Sequence, residues 1–190
     1  MKNIYEGKLV RISAVDPEEA GKAFARWDHN SEFSRLANSG VARMSSEKQA
    51  QKWVEKDLEE QSVNQHWFSI RALADNNLLG DIGLYVHDLI ARDAFVGIGI
   101  GEREFWGRGY GTDAMKVILR YAFTEVNLNR VTLTVFEYNP RGIRSYEKAG
   151  FRHEGRARKV LNKEGGRWDM LTMGIRREEW MGLDTAAMIE

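Results

Sequence analysis

Between Val96 and Phe136 a single stretch commits the chain to a sheet with a helix laid across it. VGIGIG, Val96 to Gly101, sets Val96, Ile98 and Ile100 on one face of a strand and leaves the other face to three glycines, because successive side chains point to opposite sides. EREFWGRGYGTDA follows, with glycine at 107, 109 and 111. The next residues predict an amphipathic helix, with Met115, Ile118, Leu119 and Ala122 against a polar stripe of Asp113, Lys116, Arg120 and Thr124. Arg130–Phe136 alternates apolar with polar and reads as a strand. If its two strands are parallel neighbours, such a unit takes a right-handed crossover.

The remaining elements extend this sheet. Asp16-Pro17-Glu18-Glu19 reads as an N-cap, a first-turn proline and an acidic first turn, ahead of Ala20, Ala23, Phe24 and Trp27 on one face. Ser46 and Gln49 predict a capping box for a second helix that buries Ala50, Trp53, Val54 and Leu58. Trp67–Ala72, Leu78–Val86 and Ala94–Ile100 predict an antiparallel meander. Asn139-Pro140 opens a short helix that Gly150 closes, and strands at His153–Leu161 and Arg167–Arg176 flank a turn at NKEGG. The expected fold is α/β: a mixed, mostly antiparallel twisted sheet of about six to seven strands with about four helices.

Composition narrows the function. At 190 residues the chain suits one domain: acceptor-side helices over about 16–62, a core over about 67–151 and a closing hairpin over about 152–176. Lys+Arg and Asp+Glu balance at 28 each, so no net field favours nucleic acid or an anionic membrane. The N-terminus has no apolar run typical of a leader, and zero cysteines exclude thiolate chemistry and disulfides. A cytoplasmic protein is expected. His29, His66, His87 and His153 are scattered, and nothing calls for a metal.

Bare backbone at a helix start suits an anion, since unpaired N–H groups and the positive end of the dipole meet there. No G-x-x-x-x-G-K-[ST] occurs, and both G-x-G-x-x-G candidates fail at the third glycine, at Glu102 and Thr112. A protein binding ATP or NAD through this loop is therefore disfavoured. The glycines of Val96–Gly101 leave two readings open: a ligand with amide groups lying along the strand, or room for a packed helix.

Val96–Met115 resembles motif A of the GNAT N-acetyltransferase superfamily, [QR]-x-x-G-x-[GA], with Trp106 at the [QR] position. NPRGIRSYEKAGF resembles that family's following motif, N-x-x-[AS]-x-x-x-Y-x-K-x-G-F. EGRARKVL and GGRWDMLTMGI resemble the closing strands of the branch with ribosomal-protein N-terminal and spermidine acetyltransferases. The resemblance runs from about Trp67 to Trp180.

It implies acetyl-CoA as co-substrate, with its pyrophosphate on the N–H groups of Gly107, Arg108, Gly109, Tyr110, Gly111 and Thr112. Its pantetheine amides would pair along Ile98, Gly99 and Ile100, and Trp106, Asn139 and Lys148 would add contacts. Tyr146 would protonate the departing sulfur, its ordinary pKa of ~10 lying above the ~8.5 of a thiol. For the base, Glu102 stands first, with Glu104 and Glu32 as other candidates. Ser145 reads as a helix-surface hydroxyl, and Asn139 has a structural reason to exist as an N-cap. The acceptor would be a small amine, a polyamine or a protein N-terminus. Competing expectations are an antibiotic-amine acetyltransferase and a non-catalytic acyl-CoA-binding module. Trp180 and the methionine-bearing tail would join a homodimer interface or cap the sheet.

Overall fold

The computed structural model describes residues 3–187. Its elements run β1 (Val10–Ser13), α1 (Pro17–Asp28), α2 (Ser31–Ala37), α3 (Glu47–Glu59), β2 (Gln65–Ala72), β3 (Leu78–Asp88) and β4 (Asp93–Ile100). A 3-10 turn (Arg103–Phe105) precedes α4 (Tyr110–Thr124), β5 (Arg130–Phe136), α5 (Pro140–Ala149), β6 (Arg152–Lys163), β7 (Gly166–Arg176) and α6 (Arg177–Ala187). The strands form one seven-stranded sheet in the order β1-β2-β3-β4-β5-β7-β6. All neighbours are antiparallel except β4 and β5.

The expected caps close the helices. Asp16 accepts from the Glu19 N–H at 2.8 Å, Ser46 and Gln49 form the capping box, and Pro17 and Pro140 each start a helix. Glu164 and Gly165 both take positive φ in the turn joining β6 to β7, as a two-residue hairpin loop requires.

Two helices and a strand exceed the four helices and six strand segments read from sequence. Helix α2 is only seven residues long, opened by Asn30, whose side chain accepts from Glu32 and Phe33 N–H. Strand β1 has four residues, too few for alternation to register. Helix α6 begins on Arg177, and its Trp180 packs against the main core, 5.4 Å from the Phe123 ring. Trp180 thus covers core surface, whereas Met188 in the tail lies outside the described residues. Trp53, expected in the core, is 53% exposed; it lies edge-on to Phe24 and Trp67, 5.6 Å from each, and keeps one side in solvent.

The two sides of the sheet carry different layers. Val96, Ile98 and Ile100 face the main core with Ala114, Met115 and Ile118 of α4. The opposite side carries α1, α2 and α3, with Trp27 and Phe33 clustered over β4.

Candidate active site

Strands β4 and β5 are paired only over Asp93–Phe95 and Arg130–Thr132. From Val96 onward β4 pairs with β3 alone, so backbone groups on its other edge face an opening instead of a strand. A cleft of about 580 Å³ occupies that opening. Ile98, Gly99 and Ile100 of β4 line it, together with Trp106, Gly107, Gly109, Gly111 and Thr112 from the loop and α4. Asn139, Tyr146 and Lys148 line it from α5. Arg108, Tyr110 and Glu102 are absent from that lining; Tyr110 turns away to stack edge-on against Phe105 at 5.0 Å.

The loop conformation depends on its glycines. Gly107 and Gly109 have φ of 75° and 93°, left-handed values that cost a residue with Cβ ~1–2 kcal/mol. Gly109 is the N-cap of α4 and brings no capping side chain, so the first-turn N–H groups have no side-chain partner from their own cap.

Within the glycine face of β4, each residue answers differently to the two readings of the sequence. A Cβ on Gly101 would strike the Trp27 ring, and one on Gly99 would sit 3.4 Å from Phe33 and 3.3 Å from Asp81 Oδ1. Gly97 meets nothing within 4 Å. Helix packing therefore explains Gly101 and open space surrounds Gly97, while Gly99 both packs and lines the cleft.

Trp106 takes over the [QR] position by a different contact. Its indole donates to the Ile100 carbonyl at 2.6 Å, and the Arg141 guanidinium lies 4.0 Å from its ring centroid. The following motif also departs at Gly142, where Ala or Ser is usual: a Cβ there would come within 2.7 Å of the Asn139 side chain. Asn139 accepts from Gly142 N–H at 2.9 Å as the α5 N-cap. Ser145 is not a surface hydroxyl; it lines the cleft and bonds Thr112 Oγ1 at 2.8 Å, tying α5 to α4.

Tyr146 reaches the cleft from α5 and packs edge-on against Phe151 at 6.2 Å. Burial pushes its phenol up to about 12, so it keeps its proton throughout the neutral range. Two of the three candidate bases are held by arginines. Glu102 pairs with Arg26 and accepts from Trp27 Nε1 at 3.0 Å. Glu32 pairs with Arg103 at 3.1 Å and Arg141 at 4.0 Å, and Glu104 is exposed.

Several lining residues had no signal in the sequence. Lys8 and Leu9 arrive because Asp113 of α4 accepts the N–H groups of Lys8, Leu9 and Val10 at 2.7–3.1 Å. Arg120, two helical turns beyond, donates to the Ile4 carbonyl at 2.9 Å. The polar stripe of α4 thus fastens the N-terminal segment beside the cleft. Phe33 and Leu36 come from α2, and Lys116, Arg141, Arg144 and Lys148 place positive charge around the cleft.

A family model described as "Acetyltransferase (GNAT) domain" matches residues 10–152. The SPbeta prophage-derived uncharacterized N-acetyltransferase YokL of Bacillus subtilis is 30% identical over 183 residues, 93% of this chain and 94% of that protein. The putative ribosomal N-acetyltransferase YdaF of Bacillus subtilis is 36% identical over 110 residues, 58% of this chain and 60% of that protein. Among solved structures, the spermidine N-acetyltransferase of Vibrio cholerae, in complex with CoA and spermine, superposes with a TM-score of 0.78 at 22% identity, covering 90% of this chain and 98% of that one. Among the described residues no helix is long and apolar enough to cross a membrane.

Proposed function

The chain belongs to the GNAT acetyltransferase family and is an N-acetyltransferase; on that premise we propose that it moves the acetyl group of acetyl-CoA onto a primary amine of a polyamine, another small amine or a protein N-terminus. The observation that carries this reading is the meeting, in one cleft, of an unpaired strand edge, an uncapped helix start and a partly buried tyrosine.

Each part meets one need of acyl transfer. N–H groups at Gly107–Thr112 suit a pyrophosphate, and the open edge at Ile98–Ile100 suits an extended amide-bearing chain as an added strand would. A strand N–H beside the thioester carbonyl stabilises the oxyanion. Lys116, Arg144 and Lys148 offer charge to further phosphate. Tyr146 gives the sulfur its proton as the C–S bond breaks, with the phenol reprotonated by the nitrogen that has just gained the acyl group. The fit rests on Gly107 and Gly109, whose positive φ lets the backbone turn inward with no Cβ in the way.

Relatives named for ribosomal and spermidine substrates support screening both acceptor classes. The direct test is CoA release from acetyl-CoA with spermidine and with a short peptide bearing a free N-terminus. Release with neither, together with no thermal shift by CoA, overturns the reading.

A further inference from the structure

We propose that Asp81 is the general base of this site: its carboxylate, held over Gly99, takes the proton from the acceptor ammonium across one water. This rests on the acetyl-transfer reading above and names the one group that reading leaves unfilled.

The placement follows from strand register. Asp81 of β3 is paired with Gly99 of β4, and its Oδ1 lies 3.3 Å from where a Gly99 Cβ would be. The Phe33 ring shares that space at 3.4 Å and itself lines the cleft. Glycine at 99 is what lets the carboxylate lie over the face of β4 from the strand paired with it; Gly99 and Phe33 line the cleft and Asp81 stands behind them, so the proton crosses one water. Trp67 Nε1 donates to Oδ2 at 2.9 Å, which fixes the carboxylate and leaves Oδ1 as the atom facing Gly99. A void of about 10 Å³ adjoins it, close in size to one water, with Asp81 and Ser69 in a wall that is otherwise mostly apolar, including Val15, Phe24 and Leu78.

Its electrostatic setting differs from that of the other carboxylates nearby. No Lys or Arg is paired with Asp81 among the described residues, whereas Glu102, Glu32 and Glu19 each hold an arginine. Burial pushes Asp81 up to about 6 despite the Trp67 hydrogen bond, a value that keeps it ionised at neutral pH yet basic enough to accept a proton. Titratable groups on the surrounding elements include Tyr85 on β3, Asp57 on α3, Glu32 on α2 paired with Arg103, the Glu19–Arg71 pair between α1 and β2, and the Arg26–Glu102 pair between α1 and the end of β4. Tyr85 is raised by burial, by Asp81 and by Asp57, and is neutral where Asp81 titrates.

The step balances as follows. The ammonium passes one proton to Asp81, and the freed nitrogen lone pair forms the C–N bond at the thioester carbonyl. The C–S bond then breaks with its electron pair on sulfur, which takes the Tyr146 proton. The nitrogen returns its second proton to Tyr146, and Asp81 releases its proton to solvent.

The test is the pH profile of CoA release, from acetyl-CoA with spermidine and with a free-N-terminus tetrapeptide, for wild type, Asp81→Asn, Trp67→Phe and Tyr146→Phe. Asn keeps an acceptor for Trp67, so a purely structural Asp81 predicts an unchanged kcat and pH profile. A base role predicts a kcat loss of about 10²-fold or more, an unaltered CoA Kd, and disappearance of the acid limb near pH 6. Trp67→Phe removes a hydrogen bond that lowers the Asp81 pKa and moves that limb to higher pH. Retention of kcat and of the limb in Asp81→Asn, with turnover lost in Tyr146→Phe, overturns the Asp81 assignment alone. Absence of release by the wild type overturns acetyl transfer to these amines and Asp81 with it.

Discussion

The indole Nε1 of Trp106 donates to the main-chain carbonyl of Ile100 at 2.6 Å. That bond ties the glycine loop back to the last residue of β4, so the two halves of the proposed cofactor site, strand edge and helix start, share one anchor. Arg141 of α5 lies over the same ring, which brings the third element of the cleft to the same point.

Trp106→Phe keeps a ring for Arg141 and removes only the bond to Ile100. A hydrogen bond of this kind contributes about 1 kcal/mol, so the KM for acetyl-CoA is expected to rise about fivefold with kcat little changed. Steady-state kinetics at saturating amine measure it.

Tyr146→Phe removes the proton donor without emptying its packing site against Phe151. CoA release is expected to fall by about 10²–10⁴-fold, while isothermal titration gives a CoA Kd within about twofold of wild type. Equal loss of binding and turnover would make Tyr146 a packing residue instead.

The glycines of β4 separate by substitution. Gly101→Ala forces a Cβ into Trp27 and is expected to cost about 1–3 kcal/mol in urea unfolding. Gly97→Ala meets open space and is expected to stay within about 0.5 kcal/mol of wild type.

Asp113→Ala strands the N–H groups of Lys8, Leu9 and Val10. Loss of a charged acceptor of this kind costs about 1.5–3 kcal/mol, and hydrogen exchange at those three amides is expected to accelerate more than at Arg11, Ile12 and Ser13 of β1.

Asp81 makes stability fall with rising pH. Its folded pKa of about 6 lies above the ordinary 3.8, so the native state holds the proton more tightly than the unfolded chain. The stabilisation is complete below about pH 4 and is lost as pH passes 6. The shift corresponds to about 3 kcal/mol at most, and Asp81→Asn is expected to unfold at higher temperature than wild type at pH 7.5, with the gap closing towards pH 4. Calorimetry at the two pH values decides it.

The sequence by itself determined whatever rests on local pattern. Alternation located β2 to β7, the Asp16, Ser46 and Asn139 caps placed their helices, and the glycines at 107, 109 and 111 marked the helix start that lines the cleft. Local pattern is legible because caps, periodicity and positive φ are set by residues within a few positions of each other. Strand β1 and helix α2 were too short for that signal. Only the tertiary structure decided that β4 leaves β5 after Phe95, that Asp113 fastens Leu9 beside the cleft, and that Glu102 is spent on Arg26. It alone set Asp81 over Gly99, because the pairing of β3 with β4 chooses which side chain lies over a glycine, and a carboxylate's charge state depends on neighbours that arrive from three other elements.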